Sequence, residues 1–298
     1  MEVIQKFLDY LEVEKRYSQH TITSYRRDLE DFKTFLLETE GQEDLLDASK
    51  RVVRNFIVHL NTHSISKRSI NRKLSCLRSF FNFYIKIGDV KESPLQSIDS
   101  LKFYAERQIP FSKEEMDEVK EVYRKGDEKT ILVEAIIETL YQTGMRKSEL
   151  CKMKLTDVDF SLAIIKVIGK GNKQREIPLS EDLKKILEDY LKVRDPKPEF
   201  QDLFYVNYQG KKLTEKFVYS KVNSYLSYVS SKKKKSPHML RHTFATHVLD
   251  NGAEINAVKE ILGHASLAST QVYTHASIDQ LKKVINQAHP RATKKNEL

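Results

Sequence analysis

Cysteine is scarce in this chain of 298 residues: only Cys76 and Cys151 occur, and neither has a second cysteine nearby. Zinc-site and C-x-x-C redox spacings are thereby excluded, and both thiols are expected to lie buried in helices, in a reducing compartment. Long apolar runs are missing too. The N-terminus lacks the apolar stretch of a secretory signal, and no segment approaches the ~20 apolar residues that a membrane helix needs. A cytoplasmic protein without membrane insertion is expected. Asp and Glu do not cluster at metal-ligand spacing, so neither a metal nor another cofactor is expected. There is no tandem repeat, and the one low-complexity tract is the lysine run 232–235.

Positive charge, by contrast, is in excess. Lys and Arg number 51 against 42 Asp and Glu, a net charge of +9, which suits a polyanionic partner as well as a merely solvated basic surface. The length allows two domains with separate cores. Residues 1–101 carry apolar stripes at three- and four-residue spacing: Phe7, Leu8 and Leu11; Tyr25, Leu29, Phe32, Phe35 and Leu36; Val53, Phe56, Ile57 and Leu60; Leu74, Leu77, Phe80, Phe81 and Tyr84. A four-helix bundle fits them, with Ser18 or Thr21 to Thr23 capping the second helix and Gly88 ending the fourth. Between the stripes lie Arg26, Arg27, Lys67, Arg68, Arg72, Lys73 and Arg78, which as single residues read as a solvated face.

Residues 102–111, closing on Ile109-Pro110, read as an extended linker. From 112 to 298 a mixed α+β domain is expected, giving a mainly α protein with one small β-hairpin. Residues 131–141 form an apolar helix that Gly144 can cap in a left-handed conformation. Residues 163–168 and 175–179 are β-branched strands joined by the turn Gly169-Lys170-Gly171-Asn172-Lys173. Ser180 opens a helix running to about residue 193, 203–206 is a candidate short strand, and Thr214 opens another helix. Pro237 marks the start of a helix that carries His238 and Arg241 on one face and docks through Leu240, Phe244, Ala245 and Val248. Near the end, Ile278, Leu281, Val284 and Ile285 make an amphipathic helix.

The chemistry-bearing residues fall into five short motifs: Arg146 two positions after Gly144; Lys170 in the hairpin turn; His238 and Arg241; His264 directly after Gly263; and Tyr273. Two arginines, a lysine, two imidazoles and a phenol are what attack on a phosphodiester by tyrosine requires. Guanidinium forks can bind two phosphate oxygens at once, and a phenol with a reference pKa near ~10 needs cationic neighbours or a base to lose its proton.

All five motifs, in this order and spacing, resemble the tyrosine recombinase (phage integrase) family, most closely the Xer-type site-specific recombinases, over nearly the whole chain. The resemblance implies a two-domain clamp on double-stranded DNA. In it, residues 1–101 are the core-binding domain, with Arg26, Arg27, Arg68 and Arg72 as phosphate contacts, and residues 112–298 are the catalytic domain. It further implies Tyr273 as nucleophile, Arg146, Arg241 and His264 on the phosphate, His238 as base or orienting group, and Lys170 as general acid with Lys173 its rival. His242 and His275 stand beside the motifs as helpers or structural residues. The implied reaction runs through a 3′-phosphotyrosyl link and a Holliday junction, in a tetramer of this chain alone or with a related recombinase. The tail from residue 278 either packs on its own domain or is donated to a neighbour, and the lysine run 232–235 is either a solvated loop or a phosphate contact. An N-terminus without an added arm-binding domain leans toward Xer-like dimer resolution, against a mobile-element integrase or invertase. A type IB topoisomerase and a DNA-binding protein with a dead site are the more distant alternatives.

Overall fold

The computed structural model describes residues 2–103, 108–124, 128–169, 174–263 and 278–292. The chain divides into two compact units, Met1–Glu106 and Arg107–Leu298.

The first unit contains four long helices: α1 (Glu2–Val13), α2 (Gln19–Phe35), extended by a π-helical turn (Leu36–Glu40), α3 (Lys50–Thr62) and α4 (Lys67–Ile87). Serine caps the last three. Ser18, Ser49 and Ser66 each accept a hydrogen bond from the backbone N–H three residues on, satisfying a donor that the helix start leaves unpaired. The expected stripes supply the core, where Phe7, Leu29, Phe32, Val53, Leu74, Leu77, Phe80 and Phe81 are fully enclosed. Edge-on ring pairs, Phe7 with Phe80 at 5.4 Å and Phe32 with Phe56 at 5.0 Å, lock the helices at about 0.5–1.5 kcal/mol each beyond burial.

The cations of this unit do not share one environment. Arg27 and Arg68 are exposed, whereas Arg26 donates to Gln5 at 2.9 Å. Arg72 pairs with the buried carboxylate of Asp28. Lys73, grouped by sequence with the surface cations, is itself buried, 3.1 Å from Asp28 and also paired with Asp31. It neutralises Asp28 within the fold and is no surface charge. The reason is local: Lys73 stands beside Leu74 on the inward side of α4, where an ammonium needs a carboxylate partner to be tolerated.

The second unit is built around α6 (Glu128–Thr143), which is buried all round instead of on one stripe, the pattern of a central helix. Around it lie α5 (Lys113–Arg124), α7 (Lys147–Leu150), α8 (Glu181–Val193), α9 (Glu215–Val229), α10 (Pro237–Asp250), α11 (Ile255–Leu262) and α12 (Ile278–Ala288). The expected hairpin is present as β2 (Ile164–Ile168) and β3 (Gln174–Pro178). A two-residue strand β1 (Val158–Asp159), too short to read from sequence, completes an antiparallel sheet in the order β1-β2-β3. Residues 203–206 do not form a ladder strand; only isolated bridges join Leu203 to Lys154 and Val206 to Lys212. Phe111, at the end of the stretch read as linker, is 1% exposed and donates its N–H to Thr243 at 3.0 Å, so it belongs to the core of the second unit.

The tail helix α12 packs on its own unit, burying Leu281, Ile285 and Ala288 in the core. Behind it, His289 donates from Nε2 to the carbonyl of Tyr141 at 3.3 Å. Arg291 donates to the Met116 carbonyl at 2.6 Å and pairs with Asp117 and Glu138. Of the two arrangements open for the tail, the single chain adopts the first.

Candidate active site

Gly144 starts the site. It ends α6 in the left-handed region (φ 61°) and donates to the Leu140 carbonyl at 3.1 Å. A side chain there would also collide with its neighbours, since an added Cβ would lie 2.6 Å from Phe244 Cδ1 and 2.7 Å from Leu262 Cδ2. Glycine therefore lets α10 and α11 approach the end of α6. Two residues on, Arg146 caps α7 and faces a cleft of about 340 Å³ that Met145, Lys147, Ser148, Tyr219, Ser236, Pro237, His238 and Arg241 also line.

Arg241 is 7% exposed and is fixed by two backbone carbonyls, donating to Gly144 and Leu262 at 2.6 Å each. Burial, with the charge of Arg146 next, lowers its pKa to about 10, still far above neutrality, so it stays cationic. Arg146 donates to Glu149 Oε1 at 2.8 Å and to the Gly263 carbonyl at 3.3 Å. Its pairing with Glu149, which in isolation describes an ordinary surface arginine, here coexists with a place in the cleft wall. His238 stands exposed on the first turn of α10. The structure thus brings Arg146, His238 and Arg241 to one cleft. Lys170, Lys173, His264, Tyr273 and His275 lie outside the described residues.

Three residues were not legible as participants in the sequence: Glu149, Arg175 and Tyr219. Glu149 is nearly enclosed. Burial alone would raise its carboxyl, but hydrogen bonds from Arg175 and from the Arg146 backbone and side chain more than offset that and hold it below the usual carboxylate range. Arg175 meets it with a fork, Nη1 to Oε1 at 3.1 Å and Nη2 to Oε2 at 2.7 Å. The available signal was strand alternation: Arg175 pairs with Val167, and Ile177 with Ile165, so arginine occupies an inward row otherwise filled by β-branched residues. Tyr219, about half exposed on the cleft wall, carried no signal. Among the described residues no three His, Cys, Asp or Glu side chains gather into a metal-binding cluster, and no helix is long and apolar enough to cross a membrane.

Chemically, the cleft offers the guanidinium groups of Arg146 and Arg241 with the imidazole of His238, while Arg175 and Glu149 do not line it. That composition favours an oxyanion over a neutral or cationic ligand.

Comparison with known proteins agrees with that chemistry. Residues 117–279 match the phage integrase family and residues 4–88 the phage integrase N-terminal SAM-like domain. The tyrosine recombinase XerC of Bacillus subtilis (strain 168) is 37% identical over 304 residues, covering 98% of both chains. That of Anoxybacillus flavithermus is 39% identical over 296 residues, covering 96% of this chain and 97% of the other. The fold is shared with the Tn1549 transposon integrase in complex with transposon right end DNA (TM-score 0.73, 20% identity, 94% of this chain and 97% of that one). It is also shared with the XerH recombinase bound to a palindromic difH substrate (TM-score 0.72, 22% identity, 88% and 77%). With family matches along both units and a relative at 37% identity over nearly the whole length, the chain belongs to the phage integrase family, as a Xer-type tyrosine recombinase.

Proposed function

We propose that this recombinase exchanges strands at a specific DNA site by phosphotyrosine chemistry, in the role of chromosome or plasmid dimer resolution. The observation that carries the mechanism is the convergence of Arg146 and Arg241 on the cleft shared with His238. Each arginine is braced by backbone carbonyls, which fixes its fork before substrate arrives, the arrangement that makes charge stabilisation effective at a pentacoordinate phosphorane.

In this reading the Tyr273 oxygen forms a bond to the scissile phosphorus as its proton passes toward His238. The bond from phosphorus to the 5′ oxygen breaks, and Lys170 supplies the proton that the departing oxygen takes. The products are a 3′-phosphotyrosyl link and a 5′ hydroxyl. The number of phosphoester bonds is unchanged, so the 5′ hydroxyl of a partner strand can reverse the step without a nucleotide cofactor, and two rounds pass through a Holliday junction. No metal enters the scheme.

The unit Met1–Glu106 is assigned to duplex binding, with Arg26, Arg27, Arg68 and Arg72 as its phosphate contacts, of which Arg27, Arg68 and Arg72 are exposed. Such contacts position the duplex without reading its sequence. We assign the protein to the cytoplasm and, on DNA, to a tetramer. Donation of α12 there would exchange its seat on its own unit for the same seat on a neighbour, the logic of a domain swap.

The test is to trap protein-linked 3′ ends on genomic DNA of the parent organism and to sequence them. One recurrent site, cut at a fixed spacing on the two strands, is expected. Links scattered without sequence preference would favour a type IB topoisomerase instead.

A further inference from the structure

Three consecutive carbonyls at the end of α11 are each taken by a different arginine. Ile261 accepts from Arg175 Nε at 2.7 Å, Leu262 from Arg241 at 2.6 Å and Gly263 from Arg146 at 3.3 Å. A helix C-terminus leaves such carbonyls unpaired and partly negative, so the arrangement is favourable for all three. The arginines differ in what else they can do. Arg146 and Arg241 reach the cleft, whereas Arg175 does not line it, its side chain being only 9% exposed.

Each nitrogen of the Arg175 guanidinium makes a hydrogen bond within the fold. Its two terminal nitrogens clasp Glu149 and its Nε holds Ile261. Glu149, in turn, accepts from the Arg146 backbone at 2.8 Å and from the Arg146 side chain at 2.8 Å. The carboxylate is thus shared between a guanidinium that stays buried and one that the cleft needs. Without Arg175, the only guanidinium left on Glu149 among these contacts would be that of Arg146, drawn away from any phosphate. A buried anion that loses one partner binds the remaining one more tightly.

We propose that Arg175 is a positioning residue for strand transfer, which neutralises Glu149 and anchors the end of α11 so that the Arg146 guanidinium remains available to the scissile phosphate. The inference rests on the phosphotyrosine reading above. It concerns a residue outside the cleft, and it sets a role that β3 plays in catalysis through Glu149.

The experiment compares Arg175→Met, Arg175→Lys and the double variant Arg175→Met/Glu149→Gln in the full chain. The readouts are single-turnover formation of covalent complex on a nicked duplex site, and site affinity by gel shift. Arg175→Met is expected to slow cleavage by about 100-fold, the scale of a misplaced catalytic group, while site affinity is retained. Arg175→Lys, which keeps the charge and loses the fork, should fall between it and wild type and guards against loss of fold in the Met variant. The double variant should recover much of the rate, because the competing charge is gone. A merely structural role predicts the reverse, since removing a second buried group would compound the damage. Wild-type rates in Arg175→Met, or a double variant slower than the single, would overturn the proposal. Hydrogen exchange at the Arg146 amide, bonded to Glu149, provides a readout independent of activity and should slow in Arg175→Met, where Glu149 holds Arg146 more tightly. If the wild-type protein formed no covalent complex, the recombinase mechanism would fall. Unchanged exchange at Arg146 would instead sink the positioning role.

Discussion

Gly144→Ala should be among the most damaging single methyl additions in the catalytic unit. Two costs combine. The left-handed backbone (φ 61°) disfavours any side chain by roughly 1–2 kcal/mol. The new Cβ would also sit 2.6 Å from Phe244 and 2.7 Å from Leu262, an overpacking that typically costs about 1–3 kcal/mol. The total is about 2–5 kcal/mol. Gly252→Ala separates the two, for Gly252 is also left-handed (φ 89°) but an added Cβ meets nothing within 4 Å, leaving a backbone cost of roughly 1–2 kcal/mol. Urea unfolding of the full chain, followed by far-UV circular dichroism, measures both. With a slope of about 2 kcal/mol per molar urea, Gly144→Ala should lower the midpoint of the catalytic unit's transition by about 1–2.5 M. Cleavage should suffer as well, because the Gly144 and Leu262 carbonyls are the two acceptors that fix Arg241. Equal destabilisation by the two variants would refute the claim that close packing, and not backbone conformation alone, requires glycine at 144.

Cleavage should survive excess EDTA, while Arg146→Ala and Arg241→Ala each lose about 3 kcal/mol of transition-state stabilisation, the scale of a missing preorganised donor; chelation that stops the reaction, or normal rates in both variants, would contradict the arginine clamp. On DNA whose 5′ bridging oxygen is sulfur, a leaving group that needs little protonation, Lys170→Ala should regain most of the rate it loses on ordinary DNA and Lys173→Ala should not; the opposite pattern would give the acid's role to Lys173. Burial lowers the pKa of His289 from 6.5 to about 3. The contribution of its neutral ring is therefore complete above about pH 6.5 and is lost as the pH falls toward 3, at up to ~1.4 kcal/mol per pH unit. His289→Gln should flatten that part of the stability profile measured by urea unfolding at pH 7, 6 and 5, and an unchanged slope would show that His289 is not what couples tail docking to pH.

Much of the architecture was legible because periodicity reports burial. The stripes Phe7 to Leu11, Tyr25 to Leu36, Val53 to Leu60 and Leu74 to Tyr84 lie on α1 to α4, and the β-branched pair around 165 and 177 forms the hairpin. Capping was readable for the same local reason, with Ser18, Ser180 and Thr214 each accepting from the N–H three residues on. Long-range partnership was not. Nothing in sequence joins Lys73 to Asp28 and Asp31, or Arg175 to Glu149 and Ile261, because separations of 45, 42, 26 and 86 residues are closed only by the fold. Arg146 and Arg241 were visible as motif residues, but their bracing by the carbonyls of Gly144, Leu262 and Gly263 was not. Backbone acceptors carry no residue signature. The segment 203–206 was misread for a related reason, since β-branched and aromatic content signals burial, which Phe204, Tyr205 and Val206 do have, and not a strand partner.

In the proposed mechanism the Tyr273 phenol becomes covalently joined to DNA. Wild-type protein and Tyr273→Phe should be incubated with a duplex carrying the target site and a nick beside the scissile phosphate, then digested and mapped by mass spectrometry. A single peptide containing Tyr273, linked to a 3′ phosphate in the wild type and absent from Tyr273→Phe with site binding retained, is the predicted result. A 3′ link that persists in Tyr273→Phe, or one mapped to Tyr219 on the cleft wall, would contradict it.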